Sequence, residues 1–353
     1  MKPLHIIDHF SLGGAQRIVE GILDVFPQAR LLPLRKKGSD AMQFAIAESR
    51  YLLKPRANLF SQLINLLKVP RMIAQEEISI IHCHLHYAWF FGLWTRIVLG
   101  RRAAPRLIFH EHDSIHLTRW YYPILVRWLS RYGSFIAVSR FIYDQIAACG
   151  VAPQQIHLLR NFVDLSRFSP PQPNAKTTSA RLRVGFAGRL VEYKGWRVVL
   201  QLAEMLPKTH FLIAGSGADA AKIASEIEQN GLQERVVLLG YVQNMETFYH
   251  QIDLLIIPSA REAFGLVQIE AQACGVPVVV FDSEAAQEIH GDGSSVLVPN
   301  GDIAMLARKV EELQADNTFY QKMVEKSLAN ASLYSLADYG EQLNAIYQAV
   351  LRA

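Results

Sequence analysis

Cysteine is scarce in this chain, which has three cysteines in 353 residues: Cys83, Cys149 and Cys274. They are odd in number and far apart, so they do not form the paired pattern of a disulfide framework or the close spacing of a zinc site. We therefore expect a reducing, cytoplasmic compartment.

Long apolar runs and acidic metal motifs are also missing. The most hydrophobic window, 87–99, is interrupted by Arg96 and is too short to span a bilayer. The first residues enter a strand pattern at Leu4–Asp8 without the apolar segment of a signal peptide. No Asp-x-Asp pair occurs in the sequence. These absences predict a chain with no membrane span, no leader and no bound metal.

Acidic residues are few in the first half of the chain. Residues 1–170 contain 21 Lys and Arg against 11 Asp and Glu, a net charge of +10, while the remainder has 15 against 21, a net charge of −6. A basic half indicates an anionic partner such as a membrane surface, a phosphorylated lipid or a nucleic acid. No RNA- or DNA-binding motif accompanies the charge, so we expect no nucleic acid.

An aromatic and basic helix is predicted from Arg119, through Trp120, Tyr121 and Tyr122, to about Arg131. Core packing would explain its aromatic residues. The mixture of Arg, Trp and Tyr is also typical of a helix that lies on a membrane surface. The sequence leaves both interpretations open, and a peripheral contact with anionic membrane is retained as a prediction.

The length of the chain suggests two domains, and two series of alternating strand and helix patterns support this. Residues 1–168 carry the first series. Residues 169–180 are polar and rich in proline, which is typical of a linker. Residues 181–334 carry the second series. The sequence leaves open whether the final helix, 335–353, packs on the first domain.

One stretch, 253–281, combines two acids with a strand–loop–helix–strand pattern. An apolar strand ends at Pro258, a polar loop contains Glu262, and a helix is predicted to begin near Phe264 and to end at Gly275. Glu270 lies six residues beyond Phe264, about 9 Å along a helix axis. This spacing suits a ligand with an anionic centre at the helix N-terminus and hydroxyl groups further along.

Two cations follow another predicted strand, Val184–Ala187. Arg189 and Lys194 lie in a loop that begins at Gly188 and ends at Gly195. Ligands of open α/β sheets bind at the carboxyl ends of strands, and two cations in such a loop fit a diphosphate.

Histidines and glycines mark the strand ends of the first series. His110 and His112 follow the strand that begins at Leu107, and Gly13 and Gly14 separate the first strand from a helix. Paired glycines allow a backbone to approach an anion, although they also suit a tight turn. His82, His84 and His86 alternate along one strand, which could suggest a metal; without a further ligand set we interpret them as ordinary polar residues at a strand end.

Gly215-Ser216-Gly217 and Ala220 match a dinucleotide-binding fingerprint in form. A nicotinamide-dependent oxidoreductase is therefore an alternative function. It would leave Arg189, Lys194, Glu262 and Glu270 unexplained, and the motif does not open the first unit of the chain.

Taken together, these motifs resemble those of retaining GT-B-fold glycosyltransferases of glycosyltransferase family 4. The most specific is the E-x7-E pattern of Glu262 and Glu270 with its tail Ala273–Val279. The others are Gly188-Arg189-Leu190 with Lys194-Gly195, Gly13–Arg17, Ala137-Val138-Ser139 and Asn161–Asp164.

The resemblance implies two Rossmann-like α/β domains whose parallel sheets face a central cleft. It implies metal-independent, retaining transfer of a hexose from a nucleotide-diphosphate-sugar, UDP or GDP, to a glycan or lipid-linked glycan acceptor in cell-surface polysaccharide biosynthesis. No cofactor is implied. A glycan- or lipid-binding protein on an inactive transferase fold is the other alternative.

The resemblance also implies residue roles. The implied catalytic residues are His112, preferred over His110, and Glu262, both at the donor sugar. Arg189, Lys194 and Gly14 would bind the diphosphate, and Glu270 the ribose. The backbone N–H groups of Phe264, Gly265, Leu266 and Val267 would hold sugar and phosphate. The chain departs from the family pattern at Gln16, where an acid is common, and at Glu284–Ala286, which replaces a glycine-rich turn.

Overall fold

The structure is a computed structural model, and it describes residues 1–9, 13–35, 46–53, 68–103, 105–113, 119–171, 181–291 and 293–353. The chain divides into two compact units. The first contains Met1–Phe162 together with Leu336–Ala353, and the second contains Val163–Ser335. Most of the predicted linker, 172–180, lies outside the described residues, and its first residues belong to the second unit.

The first unit is built on a six-stranded sheet in the order β2-β1-β3-β4-β5-β6, and all its strand pairs are parallel. Helices connect the strands, as parallel pairing requires. The strands are β1 (Pro3–His9), β2 (Arg30–Arg35), β3 (Ile80–His84), β4 (Arg106–Glu111), β5 (Gly133–Ala137) and β6 (Ile156–Leu158). The helices whose bounds are described include α1 (Gly14–Val25), α2 (His86–Ala103), α3 (Tyr122–Leu129), α4 (Arg140–Ala148) and, after the second unit, α12 (Leu336–Arg352).

The second unit has its own six-stranded parallel sheet, in the order β12-β11-β10-β7-β8-β9. Its strands are β7 (Arg183–Ala187), β8 (His210–Ala214), β9 (Val236–Gly240), β10 (Leu254–Ile257), β11 (Val278–Phe281) and β12 (Val296–Val298). Its helices are α5 (Trp196–Met205), α6 (Ala220–Gln229), α7 (Met245–Gln251), α8 (Leu266–Ala273), α9 (Glu284–His290), α10 (Ile303–Ala315) and α11 (Asn317–Ala331).

Two strands of the second sheet, β10 and β11, are apolar on both faces. All four residues of β10 and all four of β11 are buried. Such continuous apolar runs are typical of parallel sheets and explain why the strands were recognisable in the sequence. The predicted class, two α/β domains with parallel sheets, is confirmed.

Helix α12 packs on the first unit. A Cβ on Gly340 would overlap Val25 of α1, so the absence of a side chain allows the two helices to approach closely. Tyr347 is fully buried, with its ring 5.5 Å from that of Phe26. In the described part of the chain, no helix combines the length and the apolar character that crossing a membrane requires.

Candidate active site

The second sheet changes its direction of winding between β7 and β10. From β7 the chain proceeds outward through β8 and β9, and from β10 it proceeds the other way through β11 and β12. The loops that follow two such neighbouring strands diverge and leave a crevice at their carboxyl ends, where α/β proteins bind ligands. These loops are 188–195 after β7 and 258–265 after β10, and they contain the predicted diphosphate and sugar residues.

The two loops are joined through their backbones. The N–H of Ala260 donates to the carbonyl of Tyr193 at 3.0 Å. Gly195 has a left-handed backbone, with φ 82°, and a Cβ there would overlap the carbonyl oxygen of Pro258. Glycine is therefore required at this contact, both for the conformation and for the space.

The charged side chains of these loops lie together. The Nζ of Lys194 is 2.7 Å from Oε1 of Glu262, and both side chains are mostly shielded from solvent. The ring of Tyr193 lies 5.7 Å from Lys194 Nζ and 5.9 Å from Arg189 Cζ, within the range of a cation–π contact. The structure therefore pairs Lys194 with Glu262 and places Arg189 near the same tyrosine ring as Lys194, while the role predicted for these residues in binding a donor stays a prediction.

Helix α8 begins four residues after Glu262, and no side chain caps its N-terminus. Gly265 precedes it with a left-handed backbone, φ 100°, and neither a capping side chain nor an acidic residue occupies its first turn. The first N–H groups of a helix lack partners within the helix and favour an anion. The helix begins at Leu266, two residues beyond the predicted start near Phe264, and the left-handed Gly265 immediately precedes it. The Phe264 side chain is buried and packs at 5.8 Å from the Tyr334 ring.

Glu270 lies one turn into α8 and is 7% exposed. Its Oε2 accepts a hydrogen bond of 2.8 Å from the hydroxyl of Tyr249 on α7. A carboxylate held in one orientation can present its other lone pairs to hydroxyl groups of a ligand. Sequence reasoning missed Tyr249, because in the pattern it is one apolar residue of a short helix.

Buried polar residues connect α8 to neighbouring segments of the second unit. Gln272 is fully buried, donates to Ser294 and Ser295, and accepts from the amide of Asn330 at 2.8 Å. Gln268 donates to the hydroxyl of Ser295 at 3.0 Å. Buried amides with satisfied partners fix one arrangement of the elements that carry them.

The glycines of the dinucleotide-like motif have a structural role. A Cβ on Gly215 would overlap the carbonyl oxygen of Gly188, and one on Gly217 would overlap the backbone of Leu190. The N–H of Leu190 also donates to the carbonyl of Ser216 at 2.9 Å. These glycines therefore support the loop that carries Arg189, which explains the motif without a dinucleotide.

In the first unit, His112 lies one residue beyond β4 and is partly buried. Its Nε2 is 2.9 Å from Nδ1 of His84. Burial lowers the pKa of His112 to about 4, although the neighbouring carboxylates of Glu111 and Asp113 act in the opposite direction. The imidazole is therefore neutral at physiological pH.

The buried carboxylate of Glu111 fixes the backbone on both sides of His112. It is 1% exposed, accepts from the hydroxyl of Tyr122 at 3.0 Å and from the N–H of Asp113 at 3.2 Å, and lies 3.1 Å from His86.

His82 and His84 lie at the end of β3 as expected, but the sequence pattern did not indicate that they are buried. Both are fully buried, as are His5 of β1 and His110 of β4, and burial lowers the pKa of each below its usual value. His86, by contrast, turns away to Glu111. Within the described residues, two groups have nitrogens close enough for a shared metal, namely His5 with His82 and His84, and His84 with His110 and His112.

Gly14 is the first residue of α1, and Gly13 precedes it. Gln16, 3% exposed, donates to the carbonyl of His9 at 3.1 Å, which ties the helix to the end of β1. The intervening residues 10–12 lie outside the described part of the chain.

Helix α3 exposes large apolar side chains. Trp120, just before the helix, is 83% exposed, and Ile124 is 67% exposed. Tyr121 and Trp128 are also exposed, and Arg119, Arg127 and Arg131 are exposed beside them. The inward face of the same helix buries Tyr122, Val126 and Leu129.

Comparisons with known proteins found relatives for both halves of the chain. Residues 31–167 match the family model for Glycosyltransferase Family 4, and residues 172–329 match the model for Glycosyl transferases group 1. Among curated proteins, a D-inositol 3-phosphate glycosyltransferase of Mycobacterium marinum is 31% identical over 211 residues, covering 56% of this chain and 45% of that protein. The lipopolysaccharide core biosynthesis glycosyltransferase LpsE of Rhizobium meliloti is 27% identical over 175 residues, covering 49% of this chain and 52% of that protein.

The matched stretch thus spans about half the length of these two relatives. Among solved structures, the fold is similar to that of Anabaena Alr3699/HepE in complex with UDP-glucose, with a TM-score of 0.85, 20% identity and 99% of each chain covered. Both halves of the chain match glycosyltransferase models, and its two parallel α/β units match a GT-B enzyme. The chain therefore belongs to the GT-B glycosyltransferases related to glycosyltransferase family 4.

Proposed function

We propose that this protein is a retaining, metal-independent glycosyltransferase that moves a hexose from a nucleotide-diphosphate-sugar, UDP or GDP, to a glycan or lipid-linked glycan. The observation that carries the proposal is the group of Arg189, Lys194 and Glu262 at the β7–β10 crevice, beside the uncapped N-terminus of α8. The UDP-glucose in the Anabaena structure and the lipopolysaccharide role in the name of LpsE support this substrate class.

Arg189 and Lys194 supply the positive charge that the leaving diphosphate requires. Negative charge accumulates on the diphosphate as the glycosidic bond breaks, and fixed cations near that position lower the barrier. In this proposal a metal ion is unnecessary, because two cations and the α8 N–H groups perform its electrostatic role. Lys194 Nζ lies 2.7 Å from the carboxylate of Glu262, so in this proposal Glu262 keeps the cation in place and also contacts the donor sugar.

Glu270 binds the ribose hydroxyls in this proposal, with Tyr249 fixing its orientation. His112 contacts the sugar near its reacting carbon, and Gly14 brings the N-terminus of α1 to the diphosphate. Retention follows from attack of the acceptor on the same face from which the diphosphate leaves, and a diphosphate oxygen takes the acceptor's proton. No covalent glycosyl-enzyme forms, so Glu262→Gln should lower turnover without trapping one.

The test begins with thermal-shift measurements in UDP, GDP, ADP and dTDP, followed by transfer and hydrolysis assays with the matching sugars. We expect one diphosphate to raise the melting temperature and Lys194→Ala to weaken its binding roughly tenfold or more, the effect of losing a charged contact to phosphate. The exposed Lys208 of the same unit provides the matched control, and Lys208→Ala should bind normally.

The anomeric configuration of the product is read by proton NMR. An inverted product, or loss of activity on chelation that added metal restores, would contradict the proposed chemistry. Nucleotide binding without transfer or hydrolysis of any sugar donor would favour the alternative, a binding protein on an inactive transferase fold.

We further propose that the protein is cytoplasmic and contacts anionic membrane through α3, where Trp120 and Ile124 are exposed beside three arginines. Aromatic and basic residues together favour the interface of an anionic bilayer. The chain should sediment with vesicles that contain phosphatidylglycerol, and added salt or Trp120→Ala with Ile124→Ala should release it. Leu333→Ala removes another exposed apolar residue, 72% exposed, as a control. Equal sedimentation of all variants would contradict this contact.

A further inference from the structure

Five histidines and one tyrosine form a continuous series of contacts inside the first unit. The Nε2 of His112 meets Nδ1 of His84 at 2.9 Å, and Nε2 of His84 meets Nδ1 of His5 at 2.9 Å. The hydroxyl of Tyr347 lies 3.4 Å from Nε2 of His5 and 2.8 Å from Nδ1 of His82. The Nε2 of His82 meets Nδ1 of His110 at 3.1 Å.

The backbone explains why these side chains meet. Residues two apart along a strand point to the same face, so His82 lies beside His84 in β3. His110 lies in β4, and His112 lies one residue beyond the end of that strand, with its ring centroid 3.9 Å from that of His110. His5 pairs with His82 across β1 and β3, and His84 pairs with His110 across β3 and β4. Helix α12 adds Tyr347.

Proton counting allows two arrangements of this series. Each neutral imidazole has one N–H and one lone pair, so an internal histidine that donates on one side must accept on the other. Tyr347 likewise donates to one neighbour and accepts from the other, since it has no further hydrogen-bond partner among the described residues. The hydrogen bonds of the series are therefore all donated in the direction of His112, or all donated in the direction of His110.

The end of the series at His110 distinguishes the two arrangements. Its Nε2 is buried and has no hydrogen-bond partner in the described structure. Among buried backbone groups an orphaned N–H is rarer than an under-satisfied carbonyl, and we apply the same order to the donor and acceptor forms of this imidazole nitrogen. In the favoured arrangement, Nε2 of His110 therefore carries a lone pair and Nδ1 carries the proton. Each hydrogen bond of the series is then donated in the direction of His112.

We propose that Tyr347 and the four buried histidines fix His112 as the Nδ1–H tautomer, so that His112 presents a hydrogen-bond donor to the sugar substrate. This inference rests on the proposed function for its consequence in catalysis. A neutral imidazole in this tautomer donates to a sugar hydroxyl through Nδ1, while its Nε2 is occupied by His84. Tyr347 is a positioning residue in this scheme, acting from a helix that follows the whole second unit in the chain.

The contact geometry favours hydrogen bonds over a shared metal ion. The nitrogens of neighbouring rings lie 2.9 to 3.1 Å apart, the distance of an N–H donor from its acceptor. Imidazoles that bind one tetrahedral zinc at 2.0–2.1 Å would hold their nitrogens roughly 3.4 Å apart.

The test is the tautomeric state of the five histidines, read from ¹⁵N shifts and two-bond couplings in protein labelled at the imidazole nitrogens. The favoured arrangement predicts that all five are neutral and carry their proton on Nδ1, the less common form of a free histidine side chain. Five Nε2–H forms, protonated rings, or stoichiometric bound metal would each overturn the proposal. This readout requires no substrate, so it stands apart from any failure of the proposed transferase function.

A matched pair of variants on α12 isolates the hydroxyl of Tyr347. Tyr347→Phe removes the link between His5 and His82, and we expect His112 to lose its uniform Nδ1–H state. The kcat for sugar transfer should fall roughly three- to tenfold with little change in donor KM, the effect of one hydrogen bond.

Tyr339 is also buried on α12, and its hydroxyl has no partner in the described structure. Tyr339→Phe should therefore leave the tautomers and kcat unchanged. Equal effects of the two variants on the tautomers would overturn the assigned role of Tyr347, and the spectrum of the unmodified protein tests the tautomers even where a variant fails to fold.

Discussion

At the scale of single residues, the contact between Tyr249 and Glu270 connects a buried core to a binding surface. Tyr249 is fully buried, and its hydroxyl is 2.8 Å from the carboxylate. A hydrogen bond to a charged group is worth about 1.5–3 kcal/mol in proteins. Glu270 is therefore held in one orientation before any ligand arrives, which reduces the entropy lost on binding.

Tyr249→Phe should weaken binding of the nucleoside diphosphate roughly three- to tenfold, because Glu270 loses its fixed orientation. If Glu270 contacts the ribose, the loss should be larger for UDP than for 2′-deoxy-UDP. Isothermal titration of both nucleotides with both proteins measures the difference.

Glu270→Gln serves as the reference, since it keeps the shape and removes the charge. Equal losses for the two nucleotides in both variants would place Glu270 away from the ribose and contradict its proposed role.

Residues beside strand ends could be predicted from the sequence, whereas their supporting partners could not. Arg189, Lys194 and Glu262 stand out because they lie in loops that follow apolar strands, and Glu270 stands out by its spacing from Phe264 along a predicted helix. Their partners come from distant segments that only the folded sheet brings near. Tyr347, for instance, meets His82 across 265 positions of sequence.

At the scale of elements, the loops after β7 and β10 are in direct backbone contact because residue 195 is glycine. Two neighbouring parallel strands place the loops side by side, and the left-handed Gly195 lets one backbone touch the other at Pro258. The ion pair of Lys194 and Glu262 spans the same two loops. A change in the backbone at Gly195 therefore separates the residues proposed to bind the donor.

Gly195→Ala tests this contact against a matched control. Gly231 also has a left-handed backbone, with φ 64°, but a Cβ there meets nothing within 4 Å. Gly231→Ala should cost roughly 1–2 kcal/mol of the free energy of unfolding from conformation alone. Gly195→Ala should cost roughly 1–3 kcal/mol more, because its Cβ also overlaps Pro258.

Urea denaturation measures both variants, and thermal shift in the nucleoside diphosphate should show weaker binding for Gly195→Ala alone. Similar unfolding free energies for the two would mean that the loops are not tightly joined.

Element boundaries were less predictable than elements. The sequence predicts a helix from about Phe264 to Gly275, and α8 runs from Leu266 to Ala273. The helix starts later than predicted because Gly265 has a left-handed backbone conformation, which the local sequence pattern does not predict. The predicted final helix, with Leu343 and Tyr347 on its inner face, agrees with α12 because its apolar spacing is regular.

At the scale of the whole molecule, the buried histidines make stability depend on pH. Burial lowers the pKa of His5 to about 3 and that of His112 to about 4, and it lowers those of His82, His84 and His110 as well. The unfolded chain therefore binds more protons than the folded chain below pH 6.5, and stability falls as the pH falls. Asp8 acts in the opposite sense, since burial raises its pKa to about 6, but it is one group against five.

We expect the free energy of unfolding to decrease between pH 7.5 and pH 5.0, by roughly 2 kcal/mol for each histidine that stays neutral in the folded state at pH 5. Urea denaturation at several pH values measures the slope directly. A stability that is flat or rises over this range would mean that the histidines are charged in the folded protein or that Asp8 dominates.

The division into two α/β series could be predicted because the strand and helix patterns repeat on both sides of a proline-rich stretch. The unit on which the final helix packs could not be predicted, because its apolar face could pack on either sheet. Its place in the first unit follows from particular partners, namely Val25, Phe26 and His82.

The return of the chain to its first unit has a consequence for synthesis on the ribosome. The histidines of β1, β3 and β4 are translated early, but Tyr347 follows only after all of Val163–Ser335. Until then, His5 and His82 lack the hydroxyl that joins them, and the side of the sheet that α12 covers remains open. The described strands and helices of the second unit all lie within Val163–Ser335, so the domain translated first is the one completed last.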